Sequence, residues 1–66
     1  MLTITVIDRP SSFEVKIARD GIHVESCCAT YRQDLKRYYP SVDEAIALLD
    51  RYKQSGEPFQ FISVSR

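Results

Sequence analysis

Apolar and polar residues alternate along the first part of the chain. Thr3 and Thr5 separate Leu2, Ile4 and Val6, while Glu14 and Lys16 separate Phe13, Val15 and Ile17. Successive side chains on a strand point to opposite faces, so each run predicts a half-buried β-strand with its apolar set inward. Asp8-Arg9-Pro10-Ser11-Ser12 between them predicts a turn, because Pro10 fixes φ and removes a backbone donor. Asp20-Gly21 predicts a hairpin turn, since both residues tolerate positive φ. A third strand is expected from Ile22 to Cys28 or Ala29.

The two turns also fix a register. A two-residue turn at Asp20-Gly21 pairs Arg19 with Ile22, Ile17 with Val24, Val15 with Ser26 and Phe13 with Cys28. Opposed residues share a face, which sends Val24 and Cys28 inward and Cys27, His23 and Glu25 outward. A loop at Arg9 to Ser12 pairs Val6 with Val15 and Ile4 with Ile17. Both turns select one apolar face, which predicts a three-stranded meander.

From Ala29 to Tyr39 the pattern is mixed. A loop followed by a short fourth strand at Leu35 to Tyr39 is the expectation, with a helical turn at Gln33 to Arg37 as the alternative. Beyond Pro40 the periodicity changes. Val42, Ala45, Ile46, Leu48, Leu49 and Tyr52 recur at helical spacing and form one apolar stripe. Ser41 as N-cap and Glu44 three residues later predict a capping box, and Ser55-Gly56 predicts the stop. Phe59 to Val64 predicts a last strand, apolar on both faces: Phe59 and Phe61 on one, Ile62 and Val64 on the other. A single helix covers one face of a sheet, so part of that strand should be exposed, as should Ile7.

The predicted order is β-β-β-(β)-α-β. This is an α+β fold, a small antiparallel sheet with one amphipathic helix packed on one face. The 66 residues are expected to form a single domain with a small core.

Composition narrows the function classes. Nine basic and nine acidic residues cancel, so no global field draws the chain to nucleic acid or an anionic membrane. The two cysteines, Cys27 and Cys28, are adjacent and ill placed for an ordinary intrachain disulfide, which fits a reducing, cytoplasmic setting. Neither a signal-peptide pattern nor an apolar run of membrane-spanning length is present. One histidine, His23, expected on an outer strand face, supplies no nucleophile-base set, and with two adjacent cysteines it matches no zinc spacing. Both glycines are assigned to turns, which leaves no Gly-rich phosphate loop. No enzyme activity, metal or cofactor is therefore expected.

Tyr31, Arg32, Lys36, Arg37, Tyr38 and Tyr39 place cations among aromatic rings in one short segment. Tyrosine and arginine are frequent interface anchors. The expectation is a non-enzymatic module that binds a larger protein through these six residues, as an adaptor, a toxin-antitoxin type regulator or a phage-type inhibitor would. A homodimer through Phe59–Val64 is a further expectation. The alternative is a small single-stranded nucleic-acid-binding domain using the same basic-aromatic segment. Zero net charge, Asp34 within the cluster and the lack of a ribonucleoprotein motif count against it.

Overall fold

The structure, a computed structural model, describes residues 1–65. Strands β1 (Leu2–Arg9), β2 (Ser12–Arg19), β3 (Ile22–Arg32) and β4 (Arg37–Tyr39) precede helix α1 (Val42–Lys53) and strand β5 (Phe59–Ser65). They form an α+β fold: one mixed five-stranded sheet in the order β4-β3-β2-β1-β5, with α1 packed over β2 and β3. All neighbouring strands are antiparallel except β1 and β5, which are parallel.

The first hairpin follows from its alternation. Val6 pairs with Val15 and Ile4 with Ile17, as the pattern predicts. The strands run further than expected, however, so Asp8, Arg9 and Ser12 belong to the ladder and only Pro10 and Ser11 turn. At the second hairpin Asp20 (φ 54°) and Gly21 (φ 80°) both adopt positive φ. Such a turn matches the right-handed twist of the flanking strands.

Beyond that turn the expected register fails. Arg19 faces Ile22 and Ala18 faces His23, but Ile17 faces Glu25, leaving Val24 as an extra residue in a β-bulge. Every later position shifts by one. Val15 faces Cys27 and Phe13 faces Ala29, in place of Ser26 and Cys28. Cys27 therefore packs against the core and Cys28 is exposed, the reverse of the expected assignment. Glu25 also moves from the outer face to the helix side, whereas His23 stays outside.

Ala29 to Arg32 prolongs β3 where a loop was expected, and β4 is shorter than the expected Leu35 to Tyr39. The intervening Gln33–Lys36 loop turns through hydrogen bonds from the Leu35 amide to the Arg32 carbonyl (3.2 Å) and from the Lys36 amide to the Gln33 carbonyl (3.3 Å). Lys36 takes a positive φ of 51° there.

The helix begins at Ser41, whose Oγ accepts the Asp43 amide at 3.1 Å. The expected capping box is not formed among the described residues: Ser41 Oγ takes the Asp43 amide, the Glu44 amide donates to the Ser41 carbonyl at 3.1 Å, and the Glu44 carboxylate accepts nothing from the Ser41 amide. Asp43 and Glu44 in the first turn and Arg51 and Lys53 in the last complement the helix dipole. Ala45 and Leu48 are buried, and Leu49 and Tyr52 pack beside them. Ile46, expected in the same stripe, is 41% exposed. Gly56 ends the helical stretch with a φ of 82°.

Leu2, Ile4, Val6, Val15, Ile17, Ala45 and Leu48 make the core. Full burial of Leu2, Ile4, Val15 and Ile17 stabilises the fold by roughly 1.5–3 kcal/mol for each side chain. Among the described residues no element covers the opposite face of the sheet.

Candidate functional site

Strand alternation divides the Tyr31–Tyr39 segment between the two faces of the sheet. Tyr31 pairs with Tyr38 and Arg32 with Arg37, while Thr30 pairs with Tyr39. Tyr31 and Tyr38 lie on the helix side, where their rings meet edge to face with centroids 5.5 Å apart. Arg32, Arg37 and Tyr39 project from the open face. Lys36 occupies the turn between the strands. The six residues expected to act together are thus two sets, one a packed aromatic pair and the other a basic surface. The mixed pattern from Ala29 to Tyr39 hides this division because it does not place the reversal at Gln33–Lys36.

The same register adds two residues that the sequence reading missed. Arg9 and Lys16 sit at outward positions on β1 and β2, and with Arg32 and Arg37 they make four cations on the open face. A signal was present, since both lie out of phase with the apolar set, but only the assembled sheet puts them on the same face as Arg32 and Arg37. Glu14 and Asp34 are the acids among them. Arg9 approaches Glu14 at 3.6 Å. Arg32 holds Asp34 through two bonds, Nε to Oδ1 at 3.1 Å and Nη2 to Oδ2 at 2.9 Å. Among the described residues Lys16, Lys36 and Arg37 make no ion pair. Tyr39 stands on the same face of β4 as Arg37, 56% exposed.

Like charges directly opposite on a sheet repel, and Arg32 and Arg37 are such a pair. The bidentate contact with Asp34 neutralises Arg32 and leaves Arg37 as the available cation at this edge.

The chain matches no family model, no curated protein and no solved structure. Its chemistry has to be weighed from the residues themselves. Cys27 is a poor nucleophile: burial, then the nearby Glu44 carboxylate and Cys28, push its thiol pKa up and disfavour the thiolate. Cys28 lies outside, 3.8 Å from the Thr30 hydroxyl and opposite Glu14. An open hollow formed by Asp8, Arg9, Pro10 and Ser65 lies at one end of β1 and β5. Among the described residues no three His, Cys, Asp or Glu side chains are grouped to hold a metal ion. No described helix is long and apolar enough to cross a membrane.

On the helix side the ionic contacts tie elements together. Arg19 on β2 grips Glu57 beyond the helix through Nε (3.1 Å) and Nη2 (2.8 Å). Arg51 Nη2 donates to Glu25 Oε1 at 2.5 Å. These side chains hold the helix layer on the sheet and are engaged with one another. Lys53 rests over the Phe61 ring, 5.1 Å from its centroid. The other lysine and arginine side chains outside ion pairs among the described residues, Lys16, Lys36 and Arg37, lie on the open face and its β3–β4 turn.

Proposed function

We propose that the chain is a non-enzymatic interaction module that binds an acidic surface of a larger protein through the open face of its sheet. Arg37, Tyr39, Lys36 and Lys16 make the contact, with Arg32 and Arg9 at its margin. Tyr31 and Tyr38 support it from behind by bracing the β3–β4 hairpin. One observation carries this reading: on a chain whose net charge is zero, the open face and its β3–β4 turn hold five cations, Arg9, Lys16, Arg32, Lys36 and Arg37, against two acids, Glu14 and Asp34. Charge of one sign on a flat, uncovered face steers association with a surface of the opposite sign. A small adaptor or inhibitor that acts by covering part of a larger protein needs no more than this.

Affinity capture with the whole chain tests it. The captured partner should survive nuclease treatment, be lost with Arg37→Glu and with Tyr39→Ala, and be retained with Ile46→Ala on the helix. Capture that ignores all three substitutions would refute the assignment.

A second reading, a single-stranded nucleic-acid-binding face, is favoured by the same cations beside the exposed ring of Tyr39. Phosphate contacts by these side chains would make affinity fall steeply with salt, by a log–log slope of roughly −0.7 per phosphate neutralised on a single strand. Nuclease-sensitive capture with that slope would replace the protein partner with nucleic acid.

A further inference from the structure

We propose that two copies of the chain pair edge to edge along β5, antiparallel about a two-fold axis at Ile62. Their sheets then join into one of twice five strands. β5 is an edge strand, bonded to β1 on one side only. Its other row of amide and carbonyl groups meets no backbone partner among the described residues. Such a row is a template for a further strand, and proteins guard it with charge, proline, a bulge or a very short strand. The residues of β5 itself supply none of these guards, although the Lys53 ammonium of α1 lies over Phe61 on the helix side, 5.1 Å from the ring centroid. Phe59-Gln60-Phe61-Ile62-Ser63-Val64-Ser65 is seven residues long, without charge or proline, and its ladder with β1 is unbroken.

The other side of the sheet is guarded. β4 has only three residues, and the uncovered part of β3 is interrupted by the bulge at Val24, flanked by His23 and Glu25. One edge resists strand addition and the other invites it.

The strand chemistry selects a second copy as the occupant. The side chains of the strand meet their own image without like-charge repulsion, the Lys53 ammonium being set back over the Phe61 ring on the helix side, and an isologous contact places the same patch on both sides. Geometry selects the axis. A two-fold along the strand sets each amide against its identical amide, whereas a two-fold normal to the sheet runs the strands antiparallel and lets amides face carbonyls. Overlap along the full length of β5 brings Ile62, the middle residue, against the partner's Ile62. Gln60 then lies against Val64, and Phe61 against Ser63.

This register covers apolar surface on both faces. Ile62 is 39% exposed and Phe61 45% exposed in the single chain. On the open face Ile62 and Val64 adjoin Thr5 and Ile7 of β1, so the joined edges bring the two Ile62 side chains together in the middle of an already apolar margin. The axis also leaves both open faces on the same side, and a partner would meet two basic surfaces in one plane. The pairing itself does not depend on what those surfaces bind.

Light scattering on the whole chain tests this. The mass should rise to twice the 7.6 kDa of one chain as concentration increases, and the amides of β5 should exchange more slowly at high concentration. Ile62→Lys sets two ammonium groups against each other at the axis and should halve the mass while the circular dichroism is retained. If that variant unfolds, a second pair decides: Gln60→Lys with Val64→Glu places opposite charges across the axis and should keep the dimer, whereas Gln60→Lys with Val64→Lys should split it. A one-chain mass at every concentration, a larger polydisperse assembly, or a dimer indifferent to these charges would overturn the proposal. Arg37→Glu should leave the mass unchanged, so loss of partner capture and loss of the dimer are separate outcomes.

Discussion

The Tyr52 hydroxyl, on the helix, donates a hydrogen bond to Glu25 Oε1 on β3 at 2.5 Å. The contact exists because the bulge at Val24 turns Glu25 toward the helix. It makes the stability of the fold depend on pH with a definite sign. The hydrogen bond from Tyr52, reinforced by Arg51, holds the Glu25 carboxyl below the ordinary carboxylate range. Arg19 does the same for Glu57. In that range the unfolded chain binds more protons than the folded one. The stabilisation is therefore complete above the ordinary carboxyl pKa of about 4.3 and is lost as pH falls through the depressed folded values. A series of urea midpoints should be flat near neutrality and fall steeply below that point.

Tyr52→Phe should lower the midpoint at neutral pH and flatten its acid limb. The alkaline limb should change as well. The same hydrogen bond raises the Tyr52 pKa, so its contribution is present below the ordinary tyrosine pKa of about 10 and disappears as pH rises through the raised folded value. The phenylalanine variant should lack that high-pH transition when followed by circular dichroism.

Ile4→Ala should leave the chain largely unfolded. Ile4 is completely buried at the centre of the core cluster, and truncation of such a residue costs about 2–5 kcal/mol. Small domains hold only about 5–15 kcal/mol in total, and a core of this size belongs at the low end. Denaturant unfolding compared with Ile46→Ala, on the exposed side of the helix, should separate core loss from surface change.

Cys28 should react with a maleimide well before Cys27, as read by mass spectrometry on the single-cysteine variants. Cys28 is exposed and Cys27 is packed under the helix with its thiol pKa raised by burial. Faster reaction at Cys27 would mean that β3 follows the uninterrupted register without a bulge.

Arg37→Glu, the substitution that should abolish partner capture, should not cost stability. It replaces a like-charge pair opposite Arg32 with an opposite-charge pair, worth roughly 0.2–1 kcal/mol on a sheet. A thermal midpoint equal to or above that of the parent chain is expected, which keeps loss of binding distinct from loss of fold.

The parts of the fold that local chemistry determines could be read from the sequence. Asp20-Gly21 specifies its turn by backbone preference, and the alternation of Leu2, Ile4 and Val6 specifies a face. The helix announces itself through Ser41 and its apolar spacing. The bulge was not readable for a physical reason. Cys27 and Cys28 are adjacent and alike, so either register buries a cysteine and the pattern cannot choose. In the bulged register Glu25 meets Arg51 and Tyr52 of the distant helix, a contact that no local pattern announces. The candidate site was half readable for a similar reason. Its residue types were visible in Tyr31 to Tyr39, but Arg9 and Lys16 join them only across the sheet, and Tyr31 and Tyr38 leave by facing the other way.

The parallel pairing of β5 with β1 has a consequence for how the molecule assembles. The β1–β2–β3–β4 meander is built from short loops and can form locally. Joining the first strand to the last closes a loop of nearly the whole chain, which folding must do before any of that pairing stabilises it. β5 should therefore dock late, and until it does one flank of β1 stays bare. Substitutions confined to β5 should mainly speed unfolding, whereas those at the Asp20-Gly21 turn should slow folding.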